Sequence, residues 1–171
     1  FKNEAESNDC AFRVIADHIR TLSFSIADGI IPSNEGRNYV LRRILRRAIL
    51  FGRKLGLPSG FFTKLSKTLI EQMGIAYPEL IAQKSTIEKV LVNEESAFNK
   101  TLERGLQLFE KMSAKGSISG EEAFTLYDTY GFPFDLTALI AEERKISIDK
   151  SGFDSCMNQQ KERARSSQKK E

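Results

Sequence analysis

Residues 34–54 read NEGRNYVLRRILRRAILFGRK. Wound on a helix at about 100° per residue, Arg42, Arg43, Arg46, Arg47, Arg53 and Lys54 fall within an arc of about 140°. Leu41, Ile44, Leu45, Ala48, Phe51 and Leu55 occupy most of the remainder. The stretch therefore has the period of an amphipathic helix, with one face to pack and one crowded with cations. Arg42–Arg46 and Arg43–Arg47 are like-charge neighbours at i, i+4, each costing roughly a few tenths of a kcal/mol. Such a face favours an anionic partner. Arginine's planar fork matches phosphate oxygens two at a time, so an RNA backbone fits. Acids on neighbouring helices are the alternative.

The same period runs outward in both directions. A first helix is predicted to start near Asn8 or Asp9 and stop at Gly29, with 30–34 as a connection whose Ser33 or Asn34 caps the arginine helix. Ser59 or Gly60 opens a third helix that ends near Gly74. From Glu79 to about Lys115 the apolar positions Leu80, Ile87, Val90, Leu91, Phe98, Leu102, Leu106, Phe109 and Met112 fall on one stripe, predicting one helix of about 35 residues and about 50 Å. Gly116 to Gly120 is a break. Ser119 with Glu122 forms a capping box before a short helix over 121–127. Residues 131–134 (GFPF) make a turn, Asp135 or Thr137 caps a further helix to about Arg144, and a last helix begins near Ser151. Strand-like alternation is scarce, with Lys145 to Asp149 (KISID) as its one short candidate. The expected class is all-α: two helical subdomains joined by one long helix, with residues 1–77 in the first, 78–160 in the second, and a charged, frayed tail over 161–171.

At 171 residues, 40% hydrophobic and 29% charged, the chain has the composition of a globular domain rather than a disordered one. It starts at Phe1 rather than Met and is read as a fragment. The net charge of +3 says little; the placement of the charges says more. Cys10 and Cys156 have no paired spacing and are expected as reduced thiols of a cytoplasmic protein. No apolar run reaches the ~18 residues of a membrane span. A single histidine and two distant cysteines make no metal site, and the phosphate-loop and dinucleotide fingerprints are missing.

Three places invite chemistry. The Asn34 amide can donate and accept at a base edge, although Asn is equally a good helix cap. Asp128, between Tyr127 and Tyr130, offers a carboxylate that can accept from an amino group, or serves as a turn or cap residue. Asp17 and His18 suggest an acid/base pair, but with no nucleophile nearby they read better as structural.

Several blocks together resemble alanyl-tRNA synthetases. They are residues 16–20 (ADHIR), 28–29 (DG), 32–37 (PSNEGR), 39–48 (YVLRRILRRA), 101–105 (TLERG) and 127–133 (YDTYGFP). They occur in the family's order and cover most of the chain, from Phe12 to about Phe153. The resemblance implies the helical middle region of the parent enzyme, which contacts the tRNA acceptor stem. It places the class II catalytic core with its ATP and magnesium site upstream, and the zinc-bearing editing domain downstream, both outside this chain. No cofactor is expected here. The resemblance further implies that Asn34 and Asp128 read a G·U wobble pair in that stem, assisted by an arginine of the Leu-Arg-Arg helix, with Arg46 or Arg43 preferred. Arg42, Arg43, Arg46 and Arg47 complete the expected RNA-binding set, and folding is expected to bring the loops of Asn34 and Asp128 together. The partners so implied are the acceptor stem of tRNA(Ala) and the flanking catalytic and editing domains. The junction with the catalytic core is expected to leave apolar surface at Phe12, Ile15 and Ile19. Two other readings stand beside this one: a helical protein-interaction module unrelated to RNA, and a self-contained enzyme using Asp17 and His18.

Overall fold

The computed structural model describes residues 4–34 and 36–168. Among these, the order of elements is α1 (Glu4–Ala27), α2 (Gly36–Lys54), α3 (Phe61–Met73), α4 (Pro78–Ala82), α5 (Lys84–Ser113), β1 (Ser117–Ile118), α6 (Gly120–Tyr130), α7 (Phe134–Glu143), β2 (Ser147–Ile148) and α8 (Lys150–Gln168). The class is all-α. The two short strands pair in parallel, Ser117 with Ser147 and Ile118 with Ile148. The strand candidate at 145–149 therefore finds a partner in the segment read as a break, because two residues are too short to carry a period. No helix among the described residues is long and apolar enough to cross a membrane.

Two compact units divide the chain, residues 1–99 and 100–171. The division falls inside α5, well beyond the boundary expected at 77. The reason is that α4 and the first half of α5 belong to the core of the first unit. In α1, Ala11, Ile15, Ile19, Leu22 and Ile26 are buried at spacings of three and four, and α1 packs on α2, α3 and α4. Ile15 and Ile19 are thus covered within the chain; of the three residues expected to be bared at the junction, only Phe12 is exposed, at 56%. Leu80 of α4 and Ile87 and Leu91 of α5 are fully buried. Glu95 falls on the same stripe, four residues after Leu91, and is 2% exposed. Its carboxylate accepts from the Gly60 backbone N–H (2.9 Å) and the Thr63 hydroxyl (3.3 Å) at the start of α3. A buried carboxyl group held this way is tolerated because each of its oxygens accepts a hydrogen bond.

The expected 35-residue helix is in fact two. Gln83 takes φ −99°, ψ 11° between α4 and α5. The Thr86 hydroxyl donates to Gln83 Oε1 at the joint (3.0 Å). The five-residue α4 packs on α1 and α3, and Gln83 alone separates it from the 30-residue α5. At the C-terminus, α8 runs through the charged stretch expected to fray as far as Gln168, with no Gly or Pro after Gly152 to interrupt it; residues 169–171 lie outside the described residues.

In the second unit, Leu102, Phe109, Ile118, Leu126, Phe132, Leu136, Ile140 and Phe153 form the core. The capping box at Ser119 and Glu122 opens α6, both of its hydrogen bonds being present. The caps expected at Asp135 or Thr137 are replaced by Pro133 as N-cap of α7, with Asp135 inside the first turn, where a carboxylate suits the helix dipole, and Thr137 fully buried. Gly105, inside α5, lies against the Phe132 ring so closely that a Cβ would overlap it. Gly120 and Gly152 let α6 and α8 cross backbone to backbone, and a Cβ on Gly120 would overlap the main chain of Gly152 and Phe153. Backbone, unlike a side-chain tip, cannot rotate away. Gly120→Ala is therefore expected to destabilise the second unit by about 1–3 kcal/mol, read as a lower urea midpoint for the chain.

Candidate nucleic-acid interface

Each unit holds one of the two residues singled out as base readers. In the first unit, α1 ends in a left-handed Gly29 (φ 85°), with the Gly29 N–H donating to the Ile26 carbonyl and the Ile30 N–H to that of Ser25. The chain then turns through buried Pro32, and the Ser33 N–H donates to the Asn38 carbonyl (3.1 Å). Asn34 follows with its side chain in water. Its Oδ1 accepts from Nη1 of Arg42, in the second turn of α2, at 2.5 Å. Arginine has no acceptor, so the amide must face it oxygen first. Among the described residues, nothing is hydrogen-bonded to the amide nitrogen of Asn34.

Arg42 is itself clamped. Its Nε and Nη2 donate to the two carboxylate oxygens of Glu94 on α5, at 2.8 and 2.5 Å, and Nη2 lies 3.5 Å from the Pro32 carbonyl oxygen. This is the parallel two-bond pairing of guanidinium and carboxylate. Both side chains are 17% exposed.

Arg43, Arg46 and Arg47 are half-buried rather than spread over an open face. The Arg46 guanidinium stacks over the Phe98 ring at 5.3 Å. Arg47 lies over Phe51 at 5.9 Å, and Lys54 over the same ring at 5.3 Å. Every residue from Ala48 to Gly52 is buried, including Ile49 and Leu50, which lie on or beside the basic arc. The clean two-faced division of the helix is thus interrupted over 48–52, which are buried all round. Arg53 and Lys54 are exposed.

In the second unit, Asp128 sits inside the last turn of α6, not in the turn after it as the sequence suggested. Its side chain is exposed, and Oδ1 accepts from the Gln160 amide of α8 at 2.7 Å. The glycine crossing of α6 and α8 and the edge-on contact of Tyr127 with Phe153 (5.8 Å) set the spacing of those two helices.

Glu94 escapes sequence reading, because nothing local marks an acid as the partner of an arginine 52 residues away. Glu95 did carry a signal: an acid on an otherwise apolar stripe. Asp17 and His18 form no hydrogen-bonded pair. Asp17, Arg20, Thr21 and Phe24 line, with Tyr77, an open cavity of about 460 Å³ in the first unit. His18 is half-buried, and its pKa is lowered from 6.5, first by burial and then by the positive charge of Arg47, against a smaller opposing pull from Asp17.

The chain matches the family described as class II tRNA synthetases (A) over residues 1–171. It is 60% identical over 162 residues to an alanine–tRNA ligase of Akkermansia muciniphila, covering 94% of this chain and 17% of that protein. It is 55% identical over 168 residues to the alanine–tRNA ligase of Saccharophagus degradans (96% and 19%) and 56% identical over 165 residues to that of Pseudoalteromonas translucida (95% and 19%). The chain thus spans about a fifth of the length of the curated relatives it matches.

The lowered pKa of His18 sets a sign for acid stability. As pH falls through 6.5, the unfolded chain takes up a proton that the folded chain resists, so folding stability is intact above 6.5 and declines below it. Denaturant midpoints measured from about pH 7 to pH 5 are expected to fall less steeply for His18→Gln than for the parent chain.

Proposed function

The chain belongs to the family of class II tRNA synthetases (A), and on that premise we propose that it is the part of a cytoplasmic alanine–tRNA ligase that recognises the acceptor stem of its tRNA. In this reading the full-length protein joins alanine to tRNA at the expense of ATP. The ATP, magnesium and zinc sites lie in parts of that protein outside this chain.

One observation supports the reading most. Asn34 and Asp128, which match the family's two reading positions, are both exposed, and each has its polar head oriented by one side chain of its own unit. An A-form helix shows its wide, shallow minor groove to a protein and hides its major groove. A G·U wobble leaves the guanine amino group without its usual partner on that side. The carboxylate of Asp128 is an acceptor for it, and the Asn34 amide supplies one further lone pair and two N–H donors. A pair whose amino group is already engaged leaves those groups unsatisfied, which is how one hydrogen bond becomes discrimination. Arg43, Arg46 and Arg47 bring positive charge along the same helix and draw in the phosphates, while Arg42 is paired with Glu94.

The protein-interaction alternative needs an apolar face on α5 to offer a partner. That stripe is already covered: Ile87, Leu91, Phe98, Leu102 and Phe109 are all buried within the chain.

Binding to two acceptor-stem hairpins, one with G·U and one with G·C at that pair, tests the reading across a salt series. The chain is expected to prefer G·U, and Asn34→Ala or Asp128→Ala to lower that preference by about tenfold. Arg43→Ala and Arg47→Ala are expected to weaken both hairpins alike and to reduce the salt dependence by roughly one phosphate contact each. Equal affinity for both hairpins in the unaltered chain, unchanged by either reader substitution, would refute the assignment.

A further inference from the structure

Arg42 directs its guanidinium at two side chains of its own unit. Two of its nitrogens are occupied by Glu94 and a third by Asn34. We propose that Glu94 and Arg42 are a positioning pair for Asn34: Glu94 sets the plane of the guanidinium, and the guanidinium sets the orientation of the Asn34 amide presented to RNA. The proposal rests on the reading of Asn34 given above.

Several observations carry it. Asn34 lies in a connection with its side chain in water. An amide in that setting samples several rotamers, and ordering it on binding costs affinity. The bond from Arg42 removes that freedom before RNA arrives. A flexible cation would not be enough, because a guanidinium free to swing carries the amide with it. Here the plane is fixed by two parallel bonds to a carboxylate on another helix, a geometry that lysine's single ammonium cannot reproduce. The orientation has a chemical consequence. With Oδ1 turned toward Arg42, the amide presents its two N–H donors and one remaining lone pair outward. It therefore offers a donor edge to groove acceptors, such as a pyrimidine O2 or a ribose hydroxyl, in addition to the acceptor that Asp128 contributes in this reading. Arg42 on this account does not touch a phosphate; it acts through Asn34.

Two measurements decide it. In the full-length protein carrying this segment, the preference for G·U over G·C hairpins is taken from kcat/KM for aminoacylation. Glu94→Gln keeps the shape of the side chain and removes its charge and one acceptor, and Arg42→Lys keeps the charge and removes the fork. Each is expected to cut the preference by about tenfold, chiefly through the G·U substrate. Neither is expected to cut it further in an Asn34→Ala background, because groups acting through one residue are not additive. In the 171-residue chain, the side-chain amide proton signals of Asn34 are expected to shift and broaden in both variants. Equal losses on both hairpins, or losses that add to that of Asn34→Ala, would overturn the positioning role and leave the reading of Asn34 intact. If Asn34→Ala itself leaves the preference unchanged, that reading falls, and the amide signals alone decide whether the pair positions Asn34: unmoved signals overturn it.

Discussion

The first unit depends on the packing of α2 against α1. Each helix presents aliphatic residues at spacings of three and four, and Leu22, Ile26, Leu45, Ala48 and Ile49 are removed from water almost entirely. Each fully buried Leu or Ile contributes roughly 1.5–3 kcal/mol relative to exposure, so the rotation of α2 about its axis is not free. Once that rotation is set, so is the direction in which Arg42, Arg43, Arg46 and Arg47 leave the helix. Their aliphatic stems run along apolar surface and their heads reach whatever lies at its edge. For Arg42 that is a carboxylate, and for Arg46 and Arg47 it includes the faces of Phe98 and Phe51. The reversal at Gly29 and Pro32 then delivers Asn34 to the head of Arg42.

The second unit uses related means. Arg144 at the end of α7 lies over the Phe109 ring at 5.4 Å and pairs with Glu110, whose carboxyl it holds below its ordinary range by hydrogen bonding. An arginine that stacks on a core aromatic and also meets an acid closes the rim of a hydrophobic cluster without leaving a charge unpaired. The crossing of α6 and α8 is fixed differently, by two glycines that admit no side chain between the backbones. Asp128 and Gln160 meet at the far end of that crossing, so the placement of an exposed carboxylate traces back to the absence of two Cβ atoms.

Much of the fold was legible in the sequence. The all-α class, the C-terminal end of α1, the ends of α3 and the capping box of α6 follow from period and from residues whose backbone chemistry is local, whereas α1 starts at Glu4, ahead of the caps expected at Asn8 or Asp9. The break at Gln83 was not legible, because Gln is a sound helix former and no Gly or Pro marks the joint. Nor was the parallel pairing of two-residue strands 30 residues apart. For the site, sequence found the candidates but not their environment. Ile49 and Leu50 look harmless beside a run of arginines, and their burial interrupts the basic face between Arg47 and Arg53. The Glu94–Arg42 pair is a tertiary event between surface-looking residues, and no pattern within either helix marks it.

That last pairing changes how the arginine helix should be counted. Six cations in little over three turns suggest a large electrostatic affinity for a polyanion, and counterion release would make binding steeply dependent on salt. Arg42 is neutralised within the chain, while Arg46 and Arg47 are half-buried over aromatic rings. The free electrostatic charge is therefore smaller than the sequence count. Phosphate attraction is indifferent to sequence, whereas a held amide is not. On the proposed reading, converting one cation from a phosphate anchor into the support of a reading side chain exchanges non-specific affinity for discrimination.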